Sequence, residues 1–135
     1  MGIREPFKCY ICKVIPNAHS FKLIHIDEDG THIYYTKPSD AVLYSNTRGI
    51  LNHYEETLND KPPEENWIWI FDAENIQMKH LSEISTARGI IDLFEKHSAT
   101  LTKIIIKNNS TMLSWFIWGI SYLMSPEFRD KIEYQ

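Results

Sequence analysis

At 135 residues, with 43% hydrophobic and 13% aromatic side chains, the chain is long enough for one domain, residues 1–135, with a real core. Its formal net charge of −4 and pI near 5.8 argue against a general nucleic-acid binder, which is usually basic. The charge is polarised: Arg4, Lys8, Lys13 and Lys22 stand against Glu5 early on, and acids dominate from Glu55 to Glu74. Met1 to Pro16 carries charges throughout and no apolar h-region, so no signal peptide is expected. Gly2 does not open a myristoylation pattern, because Pro6 stands where Ser or Thr is required. Without a secretory signal, the glycosylation pattern at Asn108-Asn109-Ser110 carries no meaning. The longest apolar run, Met112 to Met124, is 13 residues and falls short of the roughly 20 that span a bilayer. The expected location is cytoplasmic, with contact at a membrane surface as a peripheral option.

In chain order, Cys9-Tyr10-Ile11-Cys12 comes first. Its flanks read as an extended segment, in which the two side chains point to opposite faces. A structural zinc site normally needs four ligands, and no second pair or nearby His-x₃-His completes one. The reading is two ordinary thiols and no metal. Phe21 to Ile26 and Thr31 to Thr36 alternate around Asp27-Glu28-Asp29-Gly30, which predicts a hairpin. Gly30 at position six of a calcium loop would put His25 and Thr36 at its ends, so that loop is excluded. Ser39 is the expected N-cap of a helix with Leu43, Thr47, Ile50, Leu51, Tyr54 and Leu58 on its buried face. Asn59 to Asn66 reads as a surface loop.

Trp67-Ile68-Trp69-Ile70-Phe71 is apolar at every position, which predicts a central strand covered on both sides. Asp72 and Glu74 at its end read as a solvated strand end rather than an acid/base pair, since no nucleophile or metal set accompanies them. Ser82 is the expected cap of a helix that ends near His97, with Ile84, Ala87, Ile91 and Phe94 buried. Thr102 to Lys107 is a second central strand, and Ser110 or Asn109 caps the apolar helix after it. Pro126 opens a short turn, and Lys131 to Tyr134 reads as an edge strand. The order implies an α/β fold with a mixed, largely parallel sheet and helices on its faces. No phosphate-binding glycine loop or nucleophile elbow is present, and the six histidines are scattered, so the chain reads as a non-enzyme with no catalytic residue.

Residues 66 to 134 resemble the CRAL-TRIO lipid-binding domain, in particular its compact BCH-like branch. The likeness rests on the strand Trp67 to Asp72, the helix Ser82 to His97, and the element Leu101-Thr102-Lys103-Ile104-Ile105-Ile106. The apolar helix, Ser125-Pro126-Glu127-Phe128 and Lys131-Ile132-Glu133-Tyr134 complete it. The turn Asn108-Asn109-Ser110 departs from the family's His-Pro-Ser/Thr, and relative to typical members the chain reads as C-terminally shortened at Gln135. The resemblance implies a module that binds a hydrophobic ligand, phospholipid or phosphoinositide without a cofactor. The BCH branch adds a protein-interaction alternative, as an adaptor, a small-GTPase binder or a homodimer. Mapped onto this chain, Ile104, Ile106, Met112, Phe116, Ile120 and Leu123 are the expected pocket wall.

Overall fold

The computed structural model describes residues 7–135; the Gly2 acylation reading and the charges of Arg4 and Glu5 lie outside them. Five strands form one sheet in the order β1-β2-β3-β4-β5. They are β1 Lys22–Ile26, β2 His32–Thr36, β3 Trp67–Asp72, β4 Leu101–Lys107 and β5 Ile132–Tyr134. β1 and β2 form the antiparallel hairpin, and β2 to β5 run parallel. The sheet is therefore mixed and largely parallel. Gly30 closes the hairpin with φ at 88°, a region that costs other residues free energy, and a Cβ there would run into the Glu65 side chain.

The helices are α1 Tyr10–Val14, α2 Thr47–Asn59, α3 Met78–Leu81, α4 Ile84–Lys96, α5 Thr111–Ile120 and α6 Pro126–Asp130. Ser110 and Ser125 cap α5 and α6, their hydroxyls accepting from Leu113 N and Phe128 N, each at 3.1 Å. Two other caps differ from expectation. Ser39 sits in a short 3-10 turn, Pro38–Asp40, and donates to Glu74 O instead; α2 starts later, capped by Asn46. Ser82 donates back to Lys79 O, and α4 begins at Ile84. In both cases the hydroxyl is used by a tertiary or preceding-turn carbonyl, which competes with the cap bond. The Cys9-to-Cys12 stretch also differs: Tyr10–Val14 is a turn of α-helix, not an extended segment. A Cys-x-x-Cys pair on a helical turn lies on one face, and its thiols can converge.

The core is built on one face of the sheet. Tyr34, Trp67, Trp69, Leu101, Ile104 and Ile106 join Ile50, Tyr54 and Leu58 of α2, Leu93 and Phe94 of α4, Leu113 of α5 and Phe128 of α6 in a single cluster. Their strand neighbours Ile33, Tyr35, Ile68, Ile70 and Ile105 are only half-buried. Register puts these on one opposite face, with Ile33 beside Ile68, Tyr35 beside Ile70 and Ile70 beside Ile105. Trp67 to Phe71 is thus fully covered on one side only. Each parallel strand lies next to its predecessor and moves in one direction across the sheet. Crossovers of the same, right-handed sense then bring every connecting helix to the same face.

Candidate functional site

An apolar cavity of about 170 Å³ lies between the covered face of the sheet and α4 and α5. Its floor is Thr36, Trp69, Phe71, Ile104, Ile106 and Ile132. All six project to the same side, because Thr36 pairs with Phe71, Phe71 with Ile106, Trp69 with Ile104, and Ile104 with Ile132. α4 contributes Thr86, Ala87, Ile90, Ile91 and Phe94, and α5 contributes Leu113, Phe116, Ile117 and Ile120. Both sets follow the three- and four-residue spacing of a single helical face. Met124 and Phe128 also line it, as do Ser20, Tyr44, Tyr54 and His80, which add polar groups to its border.

Of the residues expected as a pocket wall, Ile104, Ile106, Phe116 and Ile120 are brought together here. Met112 and Leu123 are not part of the lining. Met112 precedes Leu113 by one residue, about a quarter turn off the inward face of α5, and packs at the edge of the core instead. Leu123 falls in the 3-10 turn Ser121–Leu123, where the α-helical period ends. Sequence reasoning missed the α4 wall as a lining surface, although Ala87, Ile91 and Phe94 were legible as its buried stripe. It also missed the polar border. Trp69 Nε1 donates to Thr36 Oγ1 at 2.8 Å, the Thr36 hydroxyl meets Tyr54 Oη at 3.3 Å, and Tyr54 Oη donates to Ser20 O at 3.1 Å. Burial pushes the Tyr54 phenol up, so it remains a neutral donor. No buried side-chain polar atom among the described residues lacks a partner. The cavity wall consequently makes no unmet demand for a polar ligand group.

The acids at the end of β3 have structural partners. Asp72 accepts from Tyr35 Oη at 2.6 Å, Asn108 Nδ2 at 2.8 Å and Glu74 N at 3.0 Å, while Glu74 pairs with Lys37 at 3.2 Å. Burial alone would raise Asp72, but these hydrogen bonds outweigh it and hold its carboxyl below the usual range. Burial and the Asp72 carboxylate push Tyr35 up to about 12. A carboxyl with a depressed folded pKa stabilises the fold above its ordinary value near 3.8, and that contribution is lost as pH falls through the lower folded value. Asp72→Asn is expected to flatten the acid limb of stability as pH falls from about 3.8 through the lower folded value. At neutral pH it should cost less than about 1 kcal/mol, because the site is largely solvated. Urea midpoints measured across pH check this; an unchanged acid limb counts against the role.

The chain belongs to the CRAL/TRIO domain family, whose model matches residues 22–135. Its fold is similar to that in the crystal structure of Sfh5, with a TM-score of 0.63 at 13% identity, over 90% of this chain and 50% of that one. The chain thus spans about half the length of that relative. No curated protein sequence matches the chain. No helix among the described residues is long and apolar enough to cross a membrane.

Proposed function

We propose that the chain acts as a single, non-enzymatic domain that binds a hydrophobic ligand in the cavity under α4 and α5. The observation that carries this reading is the lining itself: aliphatic and aromatic side chains from three sheet strands and chiefly from α4 and α5, joined by residues of α2, α3 and α6, with no buried polar side-chain atom among the described residues left without a partner. Its volume, about 170 Å³, compares with the roughly 150 Å³ of an apolar cavity that holds benzene. It suits a small ring or the end of one acyl chain, and a whole phospholipid requires α5 to shift outward. Glu83 is the charged residue of the lining, which contains no lysine or arginine, and this favours a neutral ligand over a phosphoinositide. Native mass spectrometry of purified protein, with titration of a neutral hydrophobic fluorophore, tests the reading. A co-purified apolar mass or saturable one-to-one binding supports it; a chain that carries nothing and leaves the fluorophore unquenched rejects it.

Ligand delivery from a membrane surface is the accompanying proposal. α5 is apolar on two faces: its inward face lines the cavity, while Trp115 and Trp118 are 67% and 72% exposed and their rings meet edge to face at 5.9 Å. Tyr122, one helical turn further, is exposed as well. Exposed tryptophan and tyrosine suit the lipid headgroup region, where an apolar body and a polar tip are both accommodated. Replacing Trp115 and Trp118 by alanine is expected to reduce sedimentation with neutral vesicles about tenfold or more. The melting temperature should barely move, since neither ring is buried. Vesicle binding retained by the double variant would reject this contact.

A protein-interaction role is favoured by a different observation, the half-exposed row Ile33, Tyr35, Ile68, Ile70 and Ile105 on the second sheet face. An adaptor, small-GTPase or homodimer contact would cover it. Light scattering across a concentration series tests the homodimer; a mass that stays monomeric excludes that occupant.

A further inference from the structure

Cys9, Cys12, His19 and His53 converge, their ligand atoms all lying within 4.8 Å of one another. The first two come from the α1 turn, His19 from the segment that leads into β1, and His53 from the middle of α2. His19 Nδ1 is 3.5 Å from Cys9 Sγ and 3.8 Å from Cys12 Sγ, and His53 Nδ1 is 3.8 Å from Cys12 Sγ. A tetrahedral zinc ion with Zn–S near 2.3 Å and Zn–N near 2.0–2.1 Å sets its sulfur and nitrogen ligands about 3.6 Å apart. The three sulfur–nitrogen separations above lie close to that value, and the remaining pairs lie within 4.8 Å.

We infer that Cys9, Cys12, His19 and His53 form a structural zinc site. Two thiolates and two neutral imidazoles are the donor set that selects zinc in tetrahedral geometry. Their charges balance a divalent cation, so the half-buried site need not hold net charge. All four positions are filled by protein, which leaves no open position for water or substrate, and the role is therefore structural rather than catalytic.

The surroundings are arranged as an outer shell. His53 donates its Nε2–H to Phe21 O at 2.8 Å, which fixes the tautomer and leaves the Nδ1 lone pair directed at the thiols. His19 turns its Nε2 to the Asn46 side-chain amide at 3.3 Å, and the other end of that amide accepts from Gly49 N as the cap of α2. Gly49 admits the assembly, since a Cβ there would strike the Asn46 amide and come within 3.0 Å of His19 Nε2. Phe7 covers the outer side, its ring edge to face with His53 at 5.9 Å.

Three of the four ligands precede residue 22, where the family match begins. The metal would tie this leading segment to α2. His19 and His53 directly precede Ser20 and Tyr54, both on the cavity border, so the staple would also brace that wall.

The test uses the full chain, purified under reducing conditions, stripped with chelator and titrated first with Co²⁺ and then with Zn²⁺. The expected result is one Co²⁺ per chain with intense tetrahedral ligand-field bands and thiolate charge transfer, all displaced by Zn²⁺. Zn²⁺ should raise the melting temperature. Cys9→Ser and His53→Ala should each weaken Zn²⁺ binding by more than about 100-fold, since loss of an outer-shell partner alone costs about 10–100-fold. No saturable Co²⁺ binding by the native chain overturns the inference. So does a weak octahedral spectrum, a Cys9–Cys12 disulfide that persists in reductant, or binding unchanged in Cys9→Ser. The native spectrum decides the matter even where a variant fails to fold.

Discussion

Phe94→Ala should be among the most destabilising single substitutions in this chain. Phe94 is fully buried, and its ring stands edge to face against Trp67 at 5.1 Å and Trp69 at 4.7 Å. It also approaches Phe21 at 6.0 Å and Tyr54 at 6.1 Å. The side chain thus joins α4 to β3, α2 and the segment just before β1, and its loss removes contacts in several directions at once. Truncating a buried phenylalanine costs about 3–5 kcal/mol, made up of lost transfer free energy and a cavity that cannot fully collapse. Against a usual total of about 5–15 kcal/mol, that loss leaves little margin. Chemical denaturation should show the midpoint falling at unchanged slope, with a melting temperature lower by on the order of 10–20 °C. A loss below about 1 kcal/mol would show that the aromatic cluster is not the organising core.

Ala87→Phe should separate ligand binding from folding. Ala87 lies on the cavity stripe of α4, between Glu83 and Ile91 and next to the Ile90 wall. A benzyl group placed there occupies the space that a ligand would enter. Binding of a neutral hydrophobic fluorophore is expected to weaken more than about tenfold, a change of about 1.4 kcal/mol or more. Stability should hold or improve by about 0.5–2 kcal/mol, the usual gain from filling a dry void. Fluorescence titration and a thermal melt on the same sample give both readouts. If the fluorophore binds the variant as tightly as the native chain, the cavity is not its site.

The two outcomes bear on each other through the position of Phe94, which lines the same cavity. Phe94→Ala enlarges the cavity and destabilises the chain together, so any change in binding there is read only where the variant is shown to be folded. Ala87→Phe avoids this, because it adds volume at a position half-exposed in the native chain.

Much was legible in the residues because it depends on local periodicity. Alternation in Thr31 to Thr36, the helical stripe of Ala87, Ile91 and Phe94, and the Ser110 cap each reflect interactions within a few residues, whereas Ile84, expected on the same stripe, is exposed at the first turn of α4. The parallel character of the sheet followed from the alternation of elements, and the family from the ordered set after Asn66. Four of the six expected wall residues meet in the cavity, since strand alternation places Ile104 and Ile106 together and helix spacing places Phe116 and Ile120 together.

Tertiary structure alone decided the rest. The apolar pattern of Trp67 to Phe71 is the same whether one face or both are covered; sequential strand order and a common crossover hand brought the helices to one side. Ser39 and Ser82 carry cap chemistry, yet long-range or preceding-turn carbonyls claimed their hydroxyls. The contact of Cys12 with His53 spans 41 residues and depends on how α2 packs, which no spacing rule contains. Periodicity encodes which face of an element is apolar. Only packing determines what that face, or a scattered cysteine and histidine, will meet.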